Sequence, residues 1–348
     1  MSTEPLAPFD AVLLLSFGGP EAPDEVMPFL EHVTRGRGIP RERLEEVAEH
    51  YLHFGGVSPI NEQNRTLLAA LEPALRDAGS DLPLYWGNRN SAPWVRDTAQ
   101  QMAADGVRRP VVIVTSAYSS YSSCRQYRED LAMAFEGLDA EVAKVAQFFD
   151  AAGFVEANTD AVRDAVQGLG DDAPVLFVTH SIPIAASSTR YAEQHEAVAR
   201  EIMQRIGGAR PWQLVYCSRS GPPTQPWLEP DVSDAIRELA GQGVRELVVA
   251  PIGFMSDHME VKYDLDTEAA ETAEEVGVRM VRAATAGTHP AFVRGLVDLL
   301  IERASIERGD GTTDARVDLG YPRALERCAV GCCANPRVER PALCGEVA

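Results

Sequence analysis

A histidine and three carboxylates follow one apolar run of the chain at a spacing that favours metal or proton chemistry. The run, residues 246–254, is typical of a buried strand and leads into His258, Glu260, Asp264 and Glu268. In a helix the carboxylates would occupy successive i, i+4 positions, where like charges are destabilising. These carboxylates would form one stripe along the helix. A bound cation, or a path along which a cation moves, would account for the stripe, and a solvated acidic face is the alternative. Because open parallel sheets hold ligands beyond their strand ends, the position favours a functional site.

Two further strand ends carry polar residues. His180 lies where the apolar run 175–179 stops, and a Ser-rich segment with a proline follows it. A lone histidine can be structural, but this pattern predicts a loop at the carboxyl end of a strand, where a catalytic group would lie. After the apolar run 212–217, residues 218–230 predict a rigid connector that packs Trp227 into the core.

A basic cluster lies near the start of the chain. Arg35, Arg37, Arg41 and Arg43 precede residues 51–61, which offer backbone and hydroxyl donors. In a chain with a formal net charge of −20, such a cluster is suited to hold ligand carboxylates. A solvated patch at the start of a helix is the alternative.

Most of the cysteines are concentrated near the end of the chain. Four of the six are Cys328, Cys332, Cys333 and Cys344. A cytosolic chain rarely uses disulfides, so this concentration predicts metal ligands, and thiolates in a loop-rich segment suit zinc or an iron–sulfur cluster. Cys217, at the end of an apolar run, is instead predicted to be a buried small residue.

Alternating strands and helices must position these groups. Apolar runs predict strands at residues 10–16, 84–87, 110–116, 174–179, 212–217 and 247–252, with helices at 64–76, 97–105, 159–169 and 192–206. Continuous apolar strands joined by crossover helices predict an α/β fold whose parallel sheets are covered on both faces. We expect two such halves with a changeover near Asp150. The predicted domains are residues 1–150, residues 151–285, and a closing helix with the Cys-rich tail at 286–348.

Composition favours a cytosolic enzyme of two packed domains. The chain has 348 residues, 45% of them hydrophobic, and no apolar stretch approaches the length that spans a bilayer. Residues 1–8 contain neither a basic segment nor a long apolar core, so we expect no signal peptide and a cytoplasmic location. The charge of −20 argues against nucleic acid and anionic membrane surfaces as partners.

These motifs together resemble the ferrochelatase family, most closely its actinobacterial coproporphyrin III type. The resemblance runs from Asp10 to about Pro290 and rests on residues 15–21, 50–61, 179–183, 226–232 and 251–268, in this order and spacing. It implies a lyase of haem biosynthesis with two Rossmann-like domains, a porphyrin cleft between them and Fe(II) as the inserted metal. The implied partners are coproporphyrin III, ferrous iron and, transiently, neighbouring haem-pathway enzymes, and the implied oligomeric state is a monomer.

The resemblance assigns roles to individual positions. His180 and Glu260 match the catalytic pair, and these two together with Asp264 and Glu268 match the metal-binding residues. The porphyrin-binding rim matches Phe17, Arg35, Tyr51, Ser58, Ser120 and Tyr121. Phe17 replaces a tyrosine of Bacillus-like relatives, so we expect it to pack on the face of the macrocycle.

Metal insertion requires groups of these kinds. The metal enters along the normal of the porphyrin ring while two pyrrole N–H protons leave, and binding that favours a saddled ring exposes the nitrogens. An imidazole near its ordinary pKa suits proton acceptance, which we expect of His180, with Glu260 as its partner. Asp264 and Glu268 would pass protons out or ferrous ion in. Which member of the pair binds iron and which takes protons stays open.

The resemblance also implies a C-terminal [2Fe–2S] cluster. Related enzymes combine three tail cysteines with one from the body of the protein, and the corresponding body residue is Cys124. Four ligands are therefore expected among Cys124, Cys328, Cys332, Cys333 and Cys344, and one of the adjacent pair can be a spectator. Iron insertion needs no electron transfer, so the implied role is structural or sensing.

Three alternatives stay open. A sirohydrochlorin-type or cobalt chelatase would share the architecture. The stripe of Glu260, Asp264 and Glu268, called the acidic ladder below, and the Cys-rich tail weigh against it. A non-catalytic porphyrin or haem carrier would lack His180 or Glu260, and both are present. Protoporphyrin IX needs a largely apolar lip, whereas residues 28–30 lead at once to Glu31, His32 and the cluster at Arg35. We therefore expect the four-propionate coproporphyrin III.

Overall fold

Two four-stranded parallel sheets organise the protein. The computed structural model describes residues 4–36, 38–184, 190–220, 224–322, 331–335, 338 and 340–343. The first sheet, in the order β2-β1-β3-β4, contains β1 (Ala11–Ser16), β2 (Leu84–Asn88), β3 (Pro110–Val114) and β4 (Ala143–Lys144). The second, in the order β6-β5-β7-β8, contains β5 (Val175–His180), β6 (Trp212–Cys217), β7 (Glu246–Ala250) and β8 (Arg279–Arg282).

Helices flank both sheets. The N-terminal half carries α1 (Val26–Val33), α2 (Arg41–His53), α3 (Ile60–Asp77), α4 (Val95–Ala104) and α5 (Gln126–Ala134). The C-terminal half carries α6 (Ala152–Ala165), α7 (Arg190–Ile206), α8 (Val232–Gly241), α9 (Ala270–Glu275) and α10 (Pro290–Arg308). Two π-helices, Tyr121–Arg125 and Val261–Ala269, lead into α5 and α9, and a 3₁₀ turn at Pro23–Glu25 leads into α1. The predicted α/β fold is confirmed.

The strands β1, β3, β5 and β7 are largely apolar because both faces of each sheet are covered. In β1, Leu14 packs into a core shared by both halves, while Leu13 packs on the opposite face with Met102 of α4. The shared core also contains Phe177 of β5 and Phe292 of α10. Side chains on alternate sides of a strand therefore all meet apolar neighbours, which explains the continuous apolar runs in the sequence.

Most predicted elements lie within a few residues of the observed ones, and one helix is displaced. The helix expected at residues 159–169 is α6, which begins at Ala152 and ends at Ala165. Its first turn is apolar, with Phe154 buried in the core, and Gly168 follows with a positive φ of 74° that a helix cannot continue through. The strands β4 and β8 escaped prediction because they are short and partly exposed.

Candidate active site

Neighbouring strand ends of the second sheet bring the predicted catalytic residues together. His180 is the last residue of β5 and pairs in register with Cys217, the last residue of β6. Glu260 lies ten residues beyond the end of β7, as the N-cap residue of the second π-helix. Because β5 lies between β6 and β7, all three chain segments reach the sheet edge where α/β proteins hold ligands.

An ion pair joins the two central residues. His180 Nε2 lies 3.4 Å from Glu260 Oε1, and His180 Nδ1 donates a hydrogen bond to the Ser181 carbonyl. Burial alone would lower the pKa of His180, but the Glu260 charge and hydrogen bond outweigh it and raise the pKa to about 9. Burial opposes ionisation of Glu260, yet the His180 charge lowers the Glu260 pKa to about 2. His180 is therefore an imidazolium at neutral pH, unlike the near-neutral imidazole expected from sequence.

His258 supports Glu260 from the same loop. Its Nδ1 accepts a hydrogen bond from the Glu260 backbone N–H at 3.2 Å and lies 3.8 Å from Glu260 Oε2. Burial lowers the pKa of His258. The negative charge of Glu260 opposes this shift, and the positive charge of His180 adds to it. A neutral imidazole with a free Nδ1 lone pair can accept this backbone hydrogen bond. His258 therefore holds the backbone of Glu260 in place at the start of the π-helix.

Asp257 anchors the loop and takes no part in the ion pair. Its carboxylate accepts hydrogen bonds from Arg282 of β8 at 3.0 and 3.3 Å and from Thr285 at 3.2 Å. Its backbone N–H donates to Gln63 Oε1 of α3 at 3.0 Å. Asp257 thus ties the segment between β7 and the second π-helix to both halves of the molecule.

The acidic ladder lies on a π-helix and not on an α-helix. Residues Val261–Ala269 form the π-helix, and the Thr267 hydroxyl donates to the Lys262 carbonyl five residues earlier at 3.2 Å. π-Helices are rare and are frequently found at functional sites. An α-helical turn has slightly fewer than four residues and a π-helical turn slightly more, so side chains four apart lie on the same side of either helix. The stripe of carboxylates predicted from sequence is therefore present.

Ser218 holds the middle carboxylate of the ladder. The Ser218 hydroxyl donates a hydrogen bond to Asp264 Oδ2, and Ser218 adopts a left-handed φ of 62°, which is uncommon for a residue with a side chain. Burial raises the pKa of Asp264 to about 7, with the charges of Glu260 and Glu268 adding and the Ser218 hydrogen bond opposing. Burial and the charge of Asp231 raise the pKa of Glu268 as well. Asp264 therefore exchanges protons near neutral pH.

Helix α2 of the N-terminal half faces the ladder. The rings of His50 and Tyr263 stack with centroids 3.6 Å apart and an interplanar angle of 9°. Burial raises the pKa of Tyr51 above its usual range, and the nearby charges of Glu260 and Asp264 add to the shift. The Tyr51 phenol therefore lies beside the acidic residues, and the two halves of the chain meet at the site.

The predicted rim residues differ in accessibility. Phe17 is 36% exposed and meets Phe29 edge to face, with ring centroids 6.2 Å apart. Ser58, between α2 and α3, is buried, and its backbone N–H donates to the carbonyl of Pro20 in the segment that follows β1. Ser120 is also buried, because its hydroxyl caps the first π-helix by accepting from the Ser123 N–H at 3.1 Å. The side chain of Tyr121 donates to Glu129 at 3.2 Å.

The basic cluster divides into paired and exposed members. Arg41 contacts Glu45 at 2.9 Å and Glu31 at 3.3 Å, and Arg43 contacts Glu46 at 2.6 Å. Arg35 is exposed. The pKa of His32 is lowered chiefly by burial of its imidazole and next by the positive charge of Arg35. Arg37 lies outside the described residues. Among the ion pairs of the described ranges, Arg41 and Arg43 contact carboxylates and Arg35 contacts none. Arg35 is therefore the described member of the cluster that is presented to solvent.

The C-terminal tail runs along the segment that contains Cys124. Cys124 is buried in the first π-helix. Asn335 Nδ2 donates to the Tyr121 hydroxyl at 2.6 Å, and the Leu343 N–H donates to the Arg128 carbonyl at 3.1 Å. The sulfur atoms of Cys332 and Cys333 are 4.0 Å apart, while Cys328 and Cys344 lie outside the described residues. Within the described ranges, no three His, Cys, Asp or Glu side chains form a group that could hold a metal ion.

Two residues of the site were missed in the sequence. Ser218 was included in a connector, although it directly follows β6 and the strand-end argument that identified His180 applies to it equally. Tyr191, at the start of α7, donates a hydrogen bond to the His180 carbonyl at 3.1 Å. No local pattern indicated this contact, because it joins a helix to the end of a strand.

None of the helices in the described ranges combines the length and the apolarity needed to traverse a bilayer. The fold of the chain is similar to that of solved chelatases. SirB from Bacillus subtilis, solved with Fe³⁺, matches with a TM-score of 0.53 over 87% of this chain and 99% of its own, at 12% identity. The sirohydrochlorin chelatase SirB from Bacillus subtilis subspecies spizizenii in complex with cobalt matches with a TM-score of 0.51 over the same shares, at 11% identity. Identities this low establish the fold alone.

Sequence similarity identifies the family. The family profile described as Ferrochelatase matches residues 9–304, and the chain belongs to this family of metal-inserting lyases. The coproporphyrin III ferrochelatase of Streptomyces coelicolor is 51% identical over 97% of this chain and 96% of its own length. That of Mycolicibacterium smegmatis is 52% identical over 84% and 89%. The ferrochelatase of Rhodopirellula baltica is 52% identical over 86% and 87%.

Proposed function

We propose that this chain inserts Fe(II) into coproporphyrin III to give Fe-coproporphyrin. The observation that carries the proposal is the ion pair of His180 and Glu260, 3.4 Å apart at the strand ends that face α2. The names of relatives about 50% identical over nearly the whole chain support the choice of porphyrin. The exposed Arg35 beside a short apolar segment supports it too, because four propionates need cationic partners.

In this proposal His180 and Asp264 divide the proton transfers. Insertion exchanges two pyrrole N–H protons for one divalent cation. The approach of Fe(II) favours the neutral form of His180 and thereby drives its proton toward Glu260 and Asp264. His180 Nε2, now unprotonated, accepts the two pyrrole protons one after the other and passes the first on to Glu260 and Asp264 before it takes the second. With a pKa of about 7, Asp264 gives up protons to solvent at neutral pH with little cost in free energy.

The ladder and the rim complete the proposed site. Glu268 and Asp264 offer oxygen ligands that suit ferrous ion on its way to the His180–Glu260 pair. Tyr51, Ser58, Ser120 and Tyr121 would bind or border the porphyrin periphery, with Arg35 on the propionates. Phe17, with its exposed ring, would pack on the macrocycle face and exclude water there.

We also propose that the tail carries a [2Fe–2S] cluster. Support comes from the hydrogen bonds that the described part of the tail makes to Tyr121 and Arg128, on either side of Cys124 in sequence. Cys124 and Cys328, with Cys344 and one of Cys332 and Cys333, would hold it through thiolates. When bound, the cluster supplies a covalent crosslink between the tail and the N-terminal half. Cluster thiolates and ferrous iron favour a reducing compartment, so we propose a cytoplasmic location.

The proposed domain boundaries follow the sheets. We divide the chain into an N-terminal domain of residues 1–150, a C-terminal domain of residues 151–285 and a closing segment of residues 286–348. The strands of the first sheet end at Lys144 and α6 begins at Ala152, which supports a boundary near residue 150. Helix α10 shares a core with both halves, which supports its role as a closing helix.

The decisive experiment is anaerobic Fe(II) insertion by the purified protein, followed as loss of porphyrin fluorescence. Coproporphyrin III and protoporphyrin IX are compared at equal concentration. Faster turnover of coproporphyrin III supports the proposal. Preference for protoporphyrin IX would keep the chelatase mechanism and reject our choice of porphyrin, and tight binding of both without insertion would favour a porphyrin carrier.

A further inference from the structure

Helix α7 contacts the end of β5 from behind the site. The Tyr191 hydroxyl donates to the His180 carbonyl at 3.1 Å and shares a hydrogen bond with Thr179 Oγ1 at 2.7 Å. Tyr191 is buried, and so is Thr179. Since the hydroxyl has one proton, donation to His180 leaves it the acceptor of the Thr179 hydroxyl. One side chain of α7 therefore fixes two consecutive residues at the strand end that carries His180.

The same helix is fastened to the N-terminal half one turn later. The Ser119 N–H donates to Gln194 Oε1 at 2.8 Å, and Gln194 Nε2 donates to Ser119 Oγ at 3.1 Å. Gln194 is buried, so these reciprocal bonds are shielded from water. Ser119 directly precedes the rim residues Ser120 and Tyr121. The helix thus spans from the rim to the strand that ends in His180.

A buried aromatic stack reinforces this connection. The rings of His195 and Tyr118 are stacked with centroids 3.4 Å apart, and His195 Nδ1 donates to the Tyr191 carbonyl at 2.6 Å. Burial lowers the pKa of His195 to about 3, so the imidazole is neutral. In the described part of the chain, His195 Nε2 and the Tyr118 hydroxyl have no hydrogen-bond partner. Burying two unpaired polar atoms is costly, and a pair of phenylalanines would pack there without that cost.

We propose that Tyr191, Gln194 and His195 are positioning residues that couple the rim segment Tyr118–Tyr121 to His180. Ordering the rim around a porphyrin would then fix the orientation of His180 through α7, without any of the three touching substrate. The inference rests on the role of His180 in the proposed function. It goes beyond that function because it assigns a pathway between the two halves of the molecule.

A double-mutant cycle tests the coupling in the full-length protein. Tyr191→Phe removes only the hydroxyl on His180 and Thr179, and Gln194→Ala removes only the bonds to Ser119. Each variant loses two buried hydrogen bonds and is expected to lower kcat for Fe(II) insertion roughly tenfold, with the KM for coproporphyrin III within about twofold. The double variant should lose little more than either single variant, because both act through one path. Tyr321→Phe is the matched control and should leave kcat unchanged, because it removes a hydroxyl that donates to Glu193 of the same helix at 3.1 Å but lies outside the proposed path.

The outcomes separate this inference from the proposed function. Losses in kcat that simply multiply in the double variant would overturn the coupling, as would single variants that turn over normally. If the unaltered protein inserts no iron, the proposed function fails. Hydrogen exchange of peptides covering residues 179–181 then decides the coupling, because Gln194→Ala should speed it although Gln194 does not touch them. Equal exchange rates in both proteins would overturn the inference.

Discussion

Glu260 Oε1 lies 3.4 Å from His180 Nε2, and each residue sets the charge of the other. One ends β5 and the other follows β7, so the contact depends on the adjacency of these two strands in the sheet. The pair raises the pKa of His180 to about 9 and lowers that of Glu260 to about 2. The free protein therefore keeps a proton at the place where a divalent cation is proposed to arrive.

Removing the charge of Glu260 should release this proton. In Glu260→Gln the remaining influence of burial lowers the pKa of His180 from about 9 toward its ordinary value near 6.5. The measurement is an NMR titration of histidine ring protons, with His180→Ala to assign the signal. A His180 midpoint that is the same in both proteins would refute the ion pair as the cause of the shift.

His180→Ala should abolish metal insertion and leave porphyrin binding largely intact. The imidazole lies at the end of β5 beside Glu260, whereas the proposed rim contacts come from the N-terminal half. Insertion is measured by loss of porphyrin fluorescence under anaerobic conditions, and binding by quenching of protein fluorescence. His53→Ala, on the last turn of α2, serves as a control for loss of an accessible histidine. Normal turnover by His180→Ala would reject the assigned role.

Asp264→Asn should stabilise the protein more at pH 8 than at pH 5. The folded-state pKa of about 7 exceeds the value of about 3.9 in unfolded chains, so the native state binds more protons between these limits. Stability contributed by the protonated group is therefore lost as pH rises through about 7. The amide cannot ionise, and it can still accept the Ser218 hydrogen bond. Thermal unfolding at both pH values checks this, with the exposed Asp314→Asn as control.

Gly253→Ala should destabilise the protein and disturb the strand end beside His180. A Cβ atom at residue 253 would lie 2.2 Å from Thr179 Oγ1 and 2.6 Å from Thr179 Cα, and the backbone cannot yield easily there. Overpacking of this kind costs about 1–3 kcal/mol. Gly241→Ala at the end of α8 is the matched control, because nothing lies within 4 Å of its added Cβ. Denaturant unfolding that shows equal stability for the two variants would contradict the close approach.

Cys124→Ala should remove visible absorption from protein purified anaerobically, whereas Cys217→Ala should retain it. Cys124 is on the segment that the tail contacts, while burial raises the pKa of Cys217 far above its usual value and keeps it a thiol. The readouts are the absorption spectrum and the iron and sulfide content. Wild-type protein without acid-labile sulfide would reject the cluster outright. Equal cluster content in both variants would reject only Cys124 as a ligand.

The sequence was most informative where burial is uniform. Strands β1, β5 and β6 were located to within a residue because most of their side chains are buried in a core. The strand β8 could not be found in this way, because its pattern of burial is partial. Strand ends also located His180 and Glu260, since parallel topology alone brings such ends to one edge.

Contacts between distant elements were beyond the reach of local patterns. The π-helical hydrogen bonds of Val261–Ala269 leave the spacing of its carboxylates compatible with an ordinary α-helix, so the sequence could not distinguish the two. The high pKa of His180 arises from a neighbour that only the sheet order supplies. The connection from Ser119 through Gln194 to Tyr191 likewise crosses both halves of the chain.

The π-helix makes the length of residues 261–269 a functional property in its own right. Each of its turns closes over one more residue than an α-helical turn does. A chain shortened by a single residue before Asp264 could relax to α-helical spacing, and everything beyond the deletion would rotate by about 100°. Asp264 would then lose its hydrogen bond with Ser218, although every acidic residue would still be present. A one-residue gap at this place in a related sequence would therefore mark an altered route for cations, even where every acidic residue is retained.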